Sequence, residues 1–312
     1  MKITKTRLAP TPSGYLHIGN VLSFLITASL AKKHAAKILL RIDDLDQKRV
    51  QMEYIQDIFD TLDFLEIPYD EGPKSTKEFI QDYSQLNRLS IYKDYIHGLK
   101  EKKLIFACDC SRKTLLKNHS KRYYTGTCLH RDLPLGKKQT ALRLVTDLSQ
   151  TIYINQYTDT QKAHQLPDAM NFFMVQKKDA YPSYQLASML DDIYFDVDFI
   201  VRGKDLWPST IAQVYLSNQL KQQQTFNQTI FYHHQLIKEE GEKLSKSNGS
   251  YAIRQMIKAG VKKEGIYRMI SNQLNLPHET TNLEEFSIQF LLLMNQSSKL
   301  GIVNSSPPFK AD

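Results

Sequence analysis

Three cysteines, 12 glycines, 11 prolines and one tryptophan are few for 312 residues. Each scarcity excludes something. So little cysteine rules out a disulfide scaffold, and so little glycine and proline rules out collagen-like or low-complexity sequence. No stretch reaches the roughly 18 uninterrupted apolar residues of a membrane span. The opening MKITKTRLAP alternates like a strand and lacks the apolar centre of a signal peptide. Sparse cysteines in a non-secreted chain point to a reducing compartment, so the expected address is the cytoplasm. There is no G-x-G-x-x-G, which disfavours a dinucleotide dehydrogenase. What is present is enough for a sizeable core: 41% of residues are hydrophobic and 24% charged.

The formal net charge is +8, and it is not spread evenly. Residues 97–145 hold twelve Lys and Arg against three acids, +9, which leaves the rest of the chain near neutral. Such a stretch is either an ordinary solvated module or a patch that faces phosphates, where counterion release makes affinity depend on salt.

Periodicity sketches the organisation. Residues 2–9 read as a strand that breaks at Pro10 and Pro12. From Gly19 the apolar positions Val21, Leu22, Leu25, Ala28 and Leu30 describe a helix. Ile38, Leu39, Leu40 and Ile42 form the short apolar run of a buried parallel strand. A helix follows over Met52–Leu65, and a second helical stretch is expected from about Lys77 to Lys102. This alternation predicts an α/β sheet with crossover helices. From Leu104 the character changes to cysteines, glycine, proline and short strands near 141–146 and 151–157. The α/β pattern resumes near Phe172, with helices expected at 183–190 and 209–220 and strands at 199–202 and 230–237. The expected divisions are therefore 1–103 and 169–250 as two halves of one α/β domain, 104–168 as an inserted subdomain, and 251–312 as a helical region.

Two motifs carry chemistry. The segment Ala9-Pro10-Thr11-Pro12-Ser13-Gly14-Tyr15-Leu16-His17-Ile18-Gly19-Asn20 joins the first strand to the first helix. That junction is where open α/β sheets bind ligands, and a helix start offers unpaired N–H groups to an anion. His17 can donate to a phosphoryl oxygen, and Gly19 can let a purine approach the backbone. A lone histidine is more often structural, but its position at this junction favours a ligand. Far downstream, Lys243-Leu244-Ser245-Lys246-Ser247 sits among glycines and acids, as in a loop that closes on phosphates.

Together the two motifs resemble the HIGH and KMSKS signatures of class I aminoacyl-tRNA synthetases. The resemblance implies a Rossmann-like α/β catalytic domain in which an amino-acid carboxylate attacks the α-phosphate of ATP. That step needs positioned reactants and charge neutralisation rather than a general base. His17 and Lys246 would be the catalytic donors. His17, Gly19, Asn20, Lys243, Ser245 and Lys246 would bind ATP, with Mg²⁺ bridging its phosphates. Finer features resemble the glutamate-specific branch: Arg7 to Gly14, Tyr184-Gln185-Leu186-Ala187, Asp191-Asp192, and Val201 to Leu206. Carried over, they imply that Arg7, Ala9, Thr11, Asp43, Tyr184 and Arg202 line an L-glutamate pocket. Two positions depart from the family: Thr11 replaces serine, and Asp43 replaces glutamate with one methylene less.

All three cysteines lie in the basic stretch, as Cys108-Asp109-Cys110 and Cys128. A structural zinc takes four ligands. Side-chain chemistry alone offers His119 or His130 as the fourth. The resemblance nominates Tyr124 instead, because C-x-C followed by Y-x-x-x-C is similar to the glutamyl-queuosine tRNA(Asp) synthetases. It implies one structural zinc on Cys108, Cys110, Tyr124 and Cys128, stapling the insert. Only 65 residues follow Ser247, which fits a chain that lacks an anticodon-binding module. The expectation is thus a cytoplasmic monomer that uses ATP and L-glutamate, with tRNA(Asp) carrying queuosine as acceptor. Alternatives are a shortened synthetase for tRNA(Glu), a non-catalytic RNA-binding paralogue and a small-molecule adenylyltransferase.

Overall fold

A computed structural model of the protein describes residues 2–111, 123–157, 161–237 and 252–299. The first strand, β1 (Lys5–Leu8), leads into helix α1 (Ile18–His34) and returns as β2 (Lys37–Leu40), which pairs with β1 in parallel. The helix starts where His17 caps it and ends where Ala35 turns left-handed, with Lys32, Lys33 and His34 in its last turn. It is buried almost all round, because a C-terminal helix at Leu283–Lys299 covers one side and the strands the other.

Helix α2 (Met52–Phe64) follows, buried through Ile55, Ile58 and Leu62. The single helix expected over 77–102 is divided. A short turn at Thr76–Glu78 runs into a π-helical segment, Phe79–Tyr83, and regular α3 begins only at Leu89 and runs to Glu101. The break is at Ser84, whose backbone is extended and whose hydroxyl donates to the Asp44 carboxylate at 2.6 Å. Asp44 also takes the Gln85 N–H at 2.8 Å. A buried acid thus captures the groups that would have continued the helix.

Strands β3 (Ile105–Cys108), β4 (Ala141–Leu144) and β7 (Met174–Gln176) form an antiparallel sheet. Its third strand comes from beyond residue 168, in the segment expected to belong to the returning α/β half. Strand β5 (Ile152–Gln156) pairs antiparallel with β6 (Lys162–His164) and in parallel with β9 (Ile230–His234), so the expected insert also extends the edge of the parallel sheet. Helix α4 (Tyr184–Tyr194), strand β8 (Phe199–Gly203), helix α5 (Trp207–Ser217) and β9 complete the α/β pattern. Strand β8 is parallel to β9, and it lies beside β1, where the Asp198 N–H donates to the Lys5 carbonyl at 3.1 Å.

Three helices follow: α6 (Ile253–Lys258), α7 (Lys263–Gln273) and α8 (Leu283–Lys299). One core lies between these helices, α1, α2 and the first strands. A second packs α3, α4 and α5 against β3, β4, β5 and β7, and a small third cluster surrounds the cysteines. Among the described residues no helix is long and apolar enough to cross a membrane.

Candidate active site and cysteine cluster

The carboxyl ends of β1 and β8 and the start of α1 surround a cavity of about 280 Å³. Of the residues expected at the site, Arg7, Ala9, His17, Gly19, Asn20, Asp43, Tyr184 and Arg202 line it. Thr11 is exposed and is not part of the lining. Lys243, Ser245 and Lys246 lie outside the described residues.

His17 is built into the helix start. Its Nδ1 accepts the Gly19 N–H at 3.0 Å, and its own N–H donates to Asn20 Oδ1 at 3.0 Å, a reciprocal cap. An acceptor at Nδ1 places the proton of the neutral ring on Nε2. The ring therefore turns a donor edge away from the helix. Gly19 also leaves space beside the ring: a Cβ there would sit 2.9 Å from His17 Cε1. The glycine makes room for the imidazole.

The floor of the cavity is ionic. Arg41 is 2% exposed and donates through Nε and NH2 to the two oxygens of Asp43, at 2.7 and 3.0 Å. Its NH1 reaches Asp192 Oδ1 at 2.7 Å and the Ser188 carbonyl at 3.3 Å, while NH2 also meets Ser188 Oγ at 3.0 Å. All five N–H donors of Arg41 are engaged, so it organises the floor rather than binding a ligand. Arg7 Nε donates to the same Asp192 oxygen at 3.1 Å, and its NH1 to the Val201 carbonyl at 3.1 Å. Burial opposes the charge of Arg41, but Asp192 and Asp43 outweigh it and hold the group well above its ordinary value. Burial pushes Asp43 up despite the pull of Arg41. Asp43, expected to line the glutamate pocket, thus has both oxygens gripped by a neighbouring arginine.

Arg202 differs. It is 3% exposed, and its NH1 donates to Gln213 Oε1 at 3.0 Å. Its Nε and NH2 have no hydrogen-bond partner among the described residues. Burial pushes the guanidinium down to about 10. A buried cation with two unmet donors is costly unless an anion satisfies them. Arg7 and Arg41 balance Asp43 and Asp192, so Arg202 leaves these buried groups with one surplus positive charge. Behind it, burial keeps His233 and His234 well towards neutral, with their Nε2 atoms hydrogen-bonded to Thr210 at 2.8 Å and Ser23 at 2.6 Å.

The sequence motifs left Arg41, Ser188, Asp192 and Gln213 unassigned as site residues. Asp192 was quoted within a motif, and Arg41 stands two residues before Asp43. Neither position showed that the two would meet.

The cysteines also come together. The sulfurs of Cys108, Cys110 and Cys128 lie within 4.8 Å of one another, and Cys110 and Cys128 are 3.4 Å apart. That is too long for a disulfide and suits thiolates around one tetrahedral zinc. The Tyr124 side chain is buried beside them, and its hydroxyl accepts the Cys128 N–H at 2.7 Å. His130 is exposed and outside the group, and His119 lies outside the described residues. Arg131 NH1 bridges Asp109 at 2.7 Å and Cys128 Sγ at 3.2 Å.

Comparison with known proteins decides the family. Residues 3–298 match the model of the catalytic domain of class I tRNA synthetases (E and Q). The chain belongs to that family. The glutamate–tRNA ligase of Clostridium acetobutylicum is 30% identical to this class I synthetase over 286 residues, 86% of this chain and 57% of the relative. Glutamate–tRNA ligase 2 of Syntrophus aciditrophicus is 26% identical over 96% of this chain and 63% of its own length. Among solved structures, a glutamate tRNA ligase from Elizabethkingia meningosepticum, crystallised in complex with its amino acid, superposes with a TM-score of 0.69. It is 19% identical over 93% of this chain and 64% of that one, and shares the fold. The chain therefore spans about three fifths of the length of the relatives it matches.

Proposed function

We propose that this synthetase activates L-glutamate with ATP to glutamyl-adenylate and transfers the glutamyl group to queuosine at the wobble position of tRNA(Asp). The observation that carries the first half is the buried Nε–NH2 edge of Arg202, without a partner among the described residues, in the cavity lined by His17. Glutamate carries two carboxylates near neutral pH, and either can accept from the unmet Nε–NH2 edge. Arg202 then takes one carboxylate, with Arg7, Asp43, Tyr184 and the Ala9 backbone placing the rest. Thr11 would join them only with a change from its present exposed position.

For activation, a glutamate carboxylate oxygen attacks the α-phosphorus, the bond to the bridging oxygen breaks, and pyrophosphate leaves. The His17 Nε2–H donates to the phosphate charge that grows in this step. Gly19 and Asn20 hold the helix start against the nucleotide. By the resemblance, Lys243, Ser245 and Lys246 would serve the ATP phosphates; of the described residues on either side of them in sequence, Leu236 lines the cavity and Ala252 bridges to His17. Mg²⁺ enters with ATP. Zinc, where bound, would be held by Cys108, Cys110, Cys128 and Tyr124 and would staple the small cluster. The +9 stretch that contains it suits tRNA phosphates.

The queuosine acceptor rests on the resemblance of Cys108-x-Cys110…Tyr124-x-x-x-Cys128, whose side chains gather in one place. A second reading, transfer to the 3′ end of tRNA(Glu), is favoured by the relatives, which are glutamate–tRNA ligases. ATP–pyrophosphate exchange with glutamate, with and without tRNA, followed by mapping of labelled glutamate on the tRNA, tests both. Exchange without tRNA and label on the anticodon fragment support the proposal. Label at the 3′ end supports the second reading, and no exchange under any condition overturns both. The reading includes a monomeric, cytoplasmic protein.

A further inference from the structure

Three buried arginines show how this fold uses a guanidinium. Arg41 places its Nε–NH2 edge on the two oxygens of Asp43. Arg88 does the same to Asp191, at 2.8 Å from Nε to Oδ1 and 3.1 Å from NH2 to Oδ2. Arg202 has that same edge without a partner among the described residues, and its other nitrogen, NH1, is tied to Gln213. What distinguishes the third arginine is its anchor: a neutral amide rather than a carboxylate.

We infer that Gln213 is a positioning residue that turns the Nε–NH2 edge of Arg202 toward the side-chain carboxylate of the substrate, and so sets the preference for the acid over its amide. This rests on the reading of glutamate activation given above.

The chemistry of both partners supports the assignment. An arginine has only donors, so the Gln213 amide must face it with Oε1. That orientation leaves Gln213 Nε2, on a side chain that is 0% exposed, with no partner among the described residues. An unmet buried donor is unfavourable, and a leucine in the middle of α5 would carry none. The bond from the Gln213 carbonyl to Arg202 is what accounts for an amide here. The amide also orients the cation without cancelling it, whereas Asp43 and Asp191 neutralise the arginines they hold. The ring of Phe231 lies 5.4 Å from the Arg202 guanidinium carbon and supports the plane in which it sits.

With its edge held, Arg202 presents two parallel N–H groups. A carboxylate accepts both. A glutamine amide accepts one and sets its own NH2 against the other, donor facing donor. Without the anchor the guanidinium turns more freely, and one bond to an amide oxygen becomes attainable. Loss of Gln213 should weaken glutamate binding and narrow the margin over glutamine, with ATP left alone.

The test is ATP–pyrophosphate exchange by the full chain, with KM measured separately for glutamate and ATP and with glutamine as competitor. Gln213→Met fills the same space without an acceptor. It should raise the glutamate KM by about tenfold, as expected for losing one hydrogen bond to a charged group, lower the preference over glutamine, and leave the ATP KM within about twofold. Gln213→Glu keeps an acceptor but cancels the charge, and should impair glutamate more than Gln213→Met does. Should Gln213→Met fail to fold, Gln213→Asn, which keeps an amide one methylene short of Arg202, gives the same readout. An unchanged glutamate KM in a folded variant, or a parallel rise for ATP, overturns the inference while exchange by the parent upholds the activity. If the parent shows no glutamate-dependent exchange, the activity reading fails, and this inference fails with it.

Discussion

Arg41 grips Asp43 side-on, with Nε 2.7 Å from Oδ1 and NH2 3.0 Å from Oδ2. The same guanidinium reaches Asp192 on α4, 151 positions along the chain, so two distant segments share one buried ion network. Replacing Arg41 by methionine strands Asp43 and leaves Asp192 with Arg7 alone. We expect a loss of roughly 3–5 kcal/mol in urea denaturation, with Arg41→Lys intermediate because an ammonium lacks the fork. An unfolding midpoint equal to the parent's would contradict the network.

His17 does two jobs, and two substitutions separate them. Alanine removes both the helix cap, at about 1 kcal/mol, and the Nε2 donor. Asparagine is a good capping residue with too short a reach for the phosphate. Both variants should lose roughly 100- to 1,000-fold in pyrophosphate exchange, while only His17→Ala loses stability. Full exchange by His17→Asn would remove the ring from the chemistry.

The cysteine cluster predicts a metal. Cys110→Ser should copurify with little or no zinc by elemental analysis, and the parent with about one equivalent. Retention of a full equivalent by the variant would defeat the ligand assignment. Chelation of the parent should loosen the segment around Cys108–Cys128, read as faster amide exchange there, before the α/β core responds.

Acid should destabilise the fold through its buried imidazoles. Burial lowers His233 and His234 below the ordinary histidine value. Above pH 6.5 these rings are neutral in both states, and their contribution is complete. Below about 6.5 the unfolded chain takes up protons that the buried rings resist, and stability falls by up to about 1.4 kcal/mol per pH unit for each ring. Asp43 and Asp44 act oppositely and nearer pH 4, since burial raises them. His233→Gln, which can still bond Thr210, should flatten the decline between pH 7 and 5 in thermal melts. An unaltered slope would exclude His233 as a source.

Some of this was legible in the residues and some was not. The β1–α1–β2 unit announced itself because a continuous apolar run and a helical apolar periodicity are local signals. His17 and Gly19 stand in a motif at the strand–helix junction, Arg7 and Arg202 were implied by the family resemblance, and the structure brings all four to one cavity. The clamp of Arg41 on Asp192 was not readable, because the partners stand 151 positions apart and neither breaks a periodic pattern. Gln213 looked like an ordinary polar residue in a helix; only its burial against Arg202 gives it meaning. The interruption at Ser84 was missed because its cause is Asp44, 40 positions away.

Asp191 and Asp192 are consecutive on α4, yet they serve different arginines: Arg88 for the first, Arg7 and Arg41 for the second. Adding or deleting one residue upstream within α4 would swing both acids by about 100° around the helix axis. Arg88 and Arg7 would then lose their counter-ions inside a dry interior, and Arg41 one of its two. This helix should therefore accept many exchanges of side chain but no change of length, a constraint that a deep insertion scan would expose as a short intolerant window between two permissive loops.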